Sequence, residues 1–198
     1  GTDLVDYTSA TSGIRADLRG TAAGLGEAAG DVFSSIENIR GSDFNDILFG
    51  NNAANLFFGG AGRDVIAGGG GDDTLIGGSG ADRLIGQAGT DAASYQTASS
   101  GVVADLSGQL TGQGDASGDT FNGIEMLIGT AFNDTLIGDD TANTLVGGEG
   151  ADDLEGNIGN DTIIGGSGDD LLTGGAGADT FVFSANTGFD RVTDFALS

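Results

Sequence analysis

The sequence predicts an all-β chain wound as a parallel β-roll, a β-helical solenoid carrying two tandem arrays with longer strands interspersed. Three observations predict it. GGAGRDVIA, GGGGDDTLI and GGSGADRLI follow one another without a gap from Gly59 to Ile85, each reading Gly-Gly-x-Gly-x-Asp-x-U-x with a large apolar residue at U. Forty of 198 residues are glycine, with no Pro, Cys, His or Trp, a composition that disfavours a helical core. Finally, residues 1–91 align without a gap on residues 89–179, an offset of 88 with about half the positions identical, and tandem self-similarity is the mark of stacked units.

Each element of the repeat has a physical reason. Glycines at positions 1, 2 and 4 admit positive φ and bring carbonyls close to a ligand, so the first six residues make a tight turn. The last three, x-U-x, alternate polar and apolar as a short half-buried strand does. One such unit cannot bury its side chain alone. Two units complete one circuit of a flattened helix, so that residues eighteen apart stack. Stacked strands lie about 4.8 Å apart, and a calcium ion with oxygens at about 2.3–2.6 Å on either side spans nearly that distance. The ion therefore fits between successive loops.

Taken in order, residues 1–40 form a non-nonapeptide β segment joining the roll. Ile14, Ala16 and Leu18 alternate on one face of a longer strand at 13–18, with Val102, Ala104 and Leu106 in its copy. Residues 19–30 and 107–118 are small and polar and read as loops. Tyr7, Tyr95, Phe33 and Phe121 cover core edges. Residues 41–94 are the first array, 95–128 the second copy of the joining segment, and 129–182 the second array, in which Leu136, Leu145, Leu154, Ile163, Leu172 and Phe181 point inward. Residues 183–198 carry a two-residue slip and a degenerate final repeat at Gly188, Asp190 and Val192. Because Gly89 and Asp91 are positions 4 and 6 of a unit starting at Gly86, Gly1 and Asp3 read as the tail of a repeat whose beginning is missing, as expected of a fragment of a longer array.

Stacking fixes the candidate ligands. Position 6 supplies Asp46, Asn55, Asp64, Asp73, Asp82 and Asp91 in the first array and Asp134, Asn143, Asp152, Asp161, Asp170 and Asp179 in the second. Backbone carbonyls supply further oxygens, at Gly60, Gly62, Gly69, Gly71, Gly78, Gly80, Gly89, Gly148, Gly150, Gly159, Gly166, Gly168, Gly175 and Gly177. The pairs 46/64, 64/82, 73/91, 134/152, 152/170 and 161/179 each place two carboxylates on one side. Register also puts Glu37 and Glu125 at position 6, stacked on Asn55 and Asn143, where a Glu restores a charge to a weak site. About six to ten calcium ions follow from these pairs.

Charge and missing residue types bound the function. Thirty acidic residues against six arginines give a net charge of −24, which repels nucleic acid and anionic membranes and attracts cations. Without ions, such a chain favours disorder; with them, each loop is neutralised and pinned. No apolar run approaches the roughly 20 residues of a membrane span, and residues 1–10 are not a signal peptide. Lack of His, Cys and Lys excludes most nucleophile–base pairs and ordinary zinc sites. Two-carboxylate glycoside hydrolysis stays open by composition, but the acids lie at metal spacing and no enzyme is expected. Loops reading GGAG or GGSG also lack the regular Thr and Asn row an ice-binding face needs.

At these residues the chain resembles the RTX, or haemolysin-type, calcium-binding nonapeptide repeat proteins. Both arrays carry the motif, TFVF and DRVTDF are similar to the segment that ends many such arrays, and the forty-residue stretches are like segments between arrays. Residues 50–58 and 138–146 depart from it, lacking the double Gly and the Asp. The resemblance implies a calcium-bound β-roll, a type I secretion apparatus as partner, and localisation outside the cell or at its surface. It also implies a structural, secretion-assisting role beside an effector; the alternative is a self-assembling surface-layer or adhesin extension.

Overall fold

A computed structural model of the chain describes residues 1–184 and 188–194. It comprises two compact units that interleave in sequence. The first is Gly1–Ser94 with Gly118–Ile124, the second Tyr95–Ser117 with the residues from Glu125 on.

In the first unit, Leu4–Asp6, Asn38–Arg40, Leu56–Ala61, Thr74–Ser79 and Ala92–Ser94 are neighbours in that order. A second stack orders Arg15–Asp17, Ile47–Phe49, Val65–Gly70, Arg83–Ala88 and Thr120–Asn122. In the second unit the stacks are Met126–Ile128, Thr144–Glu149, Thr162–Ser167 and Thr180–Phe181, and Val103–Asp105, Thr135–Ile137, Asp153–Glu155, Leu171–Thr173 and Arg191–Val192. Among the described residues, neighbouring strands within each unit run parallel. Leu75 pairs with Phe57 and Leu84 with Ile66, the shift of eighteen that two units per circuit require.

The U residues make the core. Ile39, Leu48, Phe57, Ile66, Leu75 and Leu84 are at most 1% exposed, as are Leu127, Leu136, Leu145, Leu154, Ile163 and Leu172. Phe181 pairs with Ile163 as the period requires but is only half-buried, a correction to its inward placement. Two strand lengths differ from expectation. The strand expected over 13–18 is confined to Arg15–Asp17, because Asp17 turns its carboxylate to the loop that follows. Several nonapeptide strands run six residues instead of three, since the first half of the turn continues the ladder through pairs such as Gly60 with Gly78.

The loops after Arg15–Asp17 and Val103–Asp105 return alongside those strands, Leu25 bridging Arg15 and Gln113 bridging Val103 antiparallel, and each then forms one 3-10 turn, Gly26–Ala28 or Gly114–Ala116. Ala28 and Ala116 are buried. Tyr7 and Tyr95 are buried at core edges as the sequence suggests, and the Tyr7 hydroxyl donates to Asp31 Oδ2 at 2.6 Å. Among the described residues, no helix is long and apolar enough to cross a membrane.

Candidate metal centre

Position 6 sits where the turn enters the strand, and its side chain has nowhere to go but along the stack. Asp64 Oδ1 accepts the main-chain N–H of Asp46, one turn back, at 2.8 Å; Asp82 Oδ1 accepts that of Asp64 at 2.8 Å. The ladder repeats from Asp73 to Asn55, Asp91 to Asp73, Asp152 to Asp134, Asp161 to Asn143, Asp170 to Asp152 and Asp179 to Asp161. These carboxylates are buried, Asp64 at 0% exposure, with Asp179 half-buried.

The second oxygen divides the turns into two classes, according to the backbone at position 2. Where position 2 is Ser42, Asn51, Thr130 or Asp139, its N–H reaches back to the position-6 side chain. Ser42 and Thr130 donate to Asp46 and Asp134 Oδ2 at 2.6 Å, while Asn51 and Asp139 donate to Asn55 and Asn143 Oδ1 at 2.9 and 2.8 Å. The Ser42 and Thr130 hydroxyls bond the same carboxylates, so these loops close on themselves. Where position 2 has positive φ, as at Gly60 (115°), Gly69 (113°), Gly148 (120°), Asn157 (72°) and Gly166 (110°), that N–H turns away. The Oδ2 atoms of Asp64, Asp73, Asp152, Asp161 and Asp170 are then buried with no hydrogen-bond partner.

A buried carboxylate oxygen without a partner is costly unless a cation or proton meets it. Burial pushes the Asp64 carboxyl up from 3.8 to about 7, the neighbouring Asp82 and Asp46 charges adding to the effect while the Asp46 N–H opposes it. Asp152 is likewise raised to about 7 and Asp73 to about 6, burial first and adjacent carboxylates after it. Asp161 and Asp170 move the same way for the same reasons.

Position 1 has a different role from the one its sequence suggests. Gly59, Gly68, Gly147, Gly156 and Gly165 do not have positive φ. They are glycine because a Cβ would collide with the position-6 Oδ2 of Asp64, Asp73, Asp152, Asp161 or Asp170. At Gly59 it would also strike the carbonyl oxygen of Gly77, so two oxygens converge over one bare Cα. At position 4, Gly62, Gly71, Gly150 and Gly159 direct their carbonyls at the glycine of the next turn, Gly80, Gly89, Gly168 and Gly177. Position-2 carbonyls stand nearer the ladder: Gly60, Gly78, Gly148 and Gly166 lie in paired strands, and Asn157 O accepts from Ala176. Gly69 pairs with Gln87 in the same way, and Gly175 has its Cα against Asn157 O.

Among the described residues, no three Asp or Glu side chains cluster as a cage. A cation here would depend on one or two carboxylates together with main-chain oxygens, a donor set suited to a hard cation that takes oxygen ligands. The residues fit such an ion by their orphaned oxygens.

Glu37 takes its place in the same ladder, its carboxylate accepting a main-chain N–H of the turn before as the position-6 aspartates do. Glu37 directs its carboxylate to the N–H of Asp3 at 2.9 Å, while its carbonyl accepts Asn55 Nδ2 at 2.7 Å; Glu125 offers its carbonyl to the Thr144 N–H. One position-6 equivalent, Asp119, escaped the nine-residue period, while Asp190 stands in the degenerate final repeat that the sequence suggests after the slip. Asp119 Oδ1 accepts the Asp82 N–H at 2.8 Å across 37 residues, and Asp190 Oδ1 that of Asp170 at 3.2 Å across 20. The signal for the first was Gly118-Asp119-Thr120-Phe121, a compressed Gly-Asp-x-U after a loop.

The family model for the RTX calcium-binding nonapeptide repeat matches residues 33–66, 58–92, 119–154, 146–181 and 155–191. These spans cover more than half of the chain. The chain belongs to the RTX calcium-binding nonapeptide repeat family. Comparison with curated proteins finds no match. The matched spans take in Asp119 and Asp190 and leave out residues 1–32 and 93–118, where both loops lie. The RTX repeats of this chain thus form β-solenoid turns whose loops carry the buried acidic ladder.

Proposed function

We propose that the chain is a calcium-dependent structural module of a protein exported unfolded through a type I secretion channel, folding outside the cell to support an effector carried elsewhere. Within it, calcium is held by the turns whose position 2 has positive φ, with position-6 ligands Asp64, Asp73, Asp82, Asp91, Asp152, Asp161, Asp170 and Asp179. Carbonyls from positions 1 and 4 complete each shell. Asp46, Asn55, Asp134 and Asn143 close their own loops and stand outside the ion set. When bound, the ion supplies the positive charge that buried, partnerless carboxylate oxygens require, and that observation carries the reading.

The same energetics support export as an open chain. Extracellular calcium modules bind at about 10⁻⁴–10⁻³ M, well above cytosolic calcium, so a chain of charge −24 stays open inside the cell and orders outside. Far-UV circular dichroism during a calcium titration, with magnesium as control, tests this. A disorder-to-β transition in calcium alone is expected. A chain equally folded in chelator would overturn the reading.

A further inference from the structure

Among the described residues the same edge occurs twice, once covered and once bare. In the second copy, Thr120–Asn122 pairs parallel with Arg83–Ala88, placing Phe121 on Leu84, and Asp119 Oδ1 accepts the Asp82 N–H. Likewise Ala92–Ser94 pairs with Thr74–Ser79, placing Ala93 on Leu75. Eighty-eight residues earlier stand Asp31, Val32 and Phe33, and Leu4–Asp6. There Val32 is 91% exposed and Leu4 44%. Leu4–Asp6 and Arg15–Asp17 are the outermost strands of their stacks.

The bare copy already has the shape of the covered one. Gly30 and Gly118 have φ of 93° and 89°, and the 3-10 turns before them are flanked by closely matching angles. Ser35, a residue that resists positive φ, adopts 56° where its counterpart Gly123 adopts 60°. An unpaired parallel edge held in its paired conformation is a template for another strand.

We infer that the face formed by Leu4–Asp6 and Asp31–Phe33 docks the last turn of a further nonapeptide array lying N-terminal to it in the same polypeptide. The occupant follows from the chain's own example. The first array ends against a Gly-Asp strand, Gly118–Asn122, and the second against another, in which Arg191–Val192 pairs with Leu171–Thr173 and Asp190 takes the Asp170 N–H. A second copy of this chain therefore has its terminal turn closed by its own tail. The Gly30–Phe33 closure has no array to close in residues 1–29, which lack the nonapeptide. Asp31 Oδ1 would accept the position-6 N–H of the docked turn, and Val32 and Phe33 would extend its ladder.

The test is an extended chain in which residues 1–88 are repeated once ahead of Gly1, compared with the parent by hydrogen exchange in saturating calcium. In the parent, the Val32–Ser34 amides exchange fast and the Thr120–Asn122 amides slowly. In the extended chain, Val32–Ser34 at the new junction slow by at least about tenfold, and Asp31→Ala at that junction reverses most of the slowing. Unchanged exchange there, with Thr120–Asn122 still protected, would overturn the inference. So would concentration-dependent self-association of the parent that Val32→Asp abolishes, since the occupant would then be a second copy.

Discussion

At the residue scale, a position-6 carboxylate such as Asp64 buries an oxygen with no hydrogen-bond partner, a cost that a cation or a proton removes. Asp64→Asn removes the charge and keeps the shape, and Asn55 and Asn143 show that the turn accepts an amide there. The expected outcome is opposite in sign under two conditions. In chelator the variant roll is more stable than the parent, and in calcium the folding midpoint moves about tenfold higher, near 1.4 kcal/mol. Asp46→Asn is the contrast: it disturbs bonds from Ser42 and Ile14 and costs about 1–3 kcal/mol, yet the number of ions bound by calorimetry stays the same. Loss of one ion in Asp46→Asn would refute the division of turns by position 2. The raised carboxyls also fix a pH dependence. Asp64 and Asp152 titrate near 7 and Asp73 near 6 in the ion-free roll, against 3.8 for an ordinary Asp. Below about pH 4 both folded and unfolded chains are protonated and the fold carries no penalty. As pH rises to 7 the unfolded chain ionises first, and stability falls. Urea unfolding in chelator should therefore show the roll gaining stability on acidification from pH 7.5 to 4.5, while calcium binding weakens over the same range because protons compete for Oδ2. A stability that falls on acidification in chelator would count against the buried-charge account.

At the element scale, what the sequence made legible was whatever repeats locally. Twelve U residues from Ile39 to Leu172 lie in the core because a nine-residue register needs no knowledge of distant contacts. Phe181, next to the slip, lost its burial because the following turn is two residues longer. The closure by Asp119 was hidden because 37 residues, not 18, separate it from Asp82, and only the returning loop shows that they are neighbours. The backbone at position 2 was hidden for a related reason. Gly and Asn both admit positive φ, yet Asn51 closes its loop and Asn157 does not. The insert loop itself hangs on one residue. Asp105 accepts from the N–H groups of Ser107, Gly108, Gln109 and Leu110, as Asp17 does from Arg19 and Ala22 in the first copy. Asp105→Ala returns those donors to water and should cost about 1–3 kcal/mol. Hydrogen exchange at Ser107–Ser117 should rise while Leu136 and Leu154 stay protected. Equal loosening of both regions would mean that the loop and the roll form one cooperative element.

At the scale of the whole molecule, two electrostatic effects oppose folding without calcium, and they can be separated. One is the mutual repulsion of a chain carrying −24, a long-range effect that any salt screens: the Debye length falls from about 10 Å at 0.1 M to about 3 Å at 1 M. The other is the burial of individual carboxylates such as Asp64 and Asp152, which mobile monovalent ions cannot reach once the turns have stacked. If repulsion dominated, 1 M sodium chloride would fold the chain in chelator. The orphaned Oδ2 atoms and the raised carboxyls place the larger cost inside the turns. Sodium chloride should therefore compact the unfolded chain, read as a smaller hydrodynamic radius, without producing the β signature in circular dichroism. Millimolar calcium at low ionic strength should produce both together. Folding in sodium chloride alone would assign the calcium requirement to net charge, and the buried ladder would then be a consequence of stacking rather than the element that makes stacking conditional.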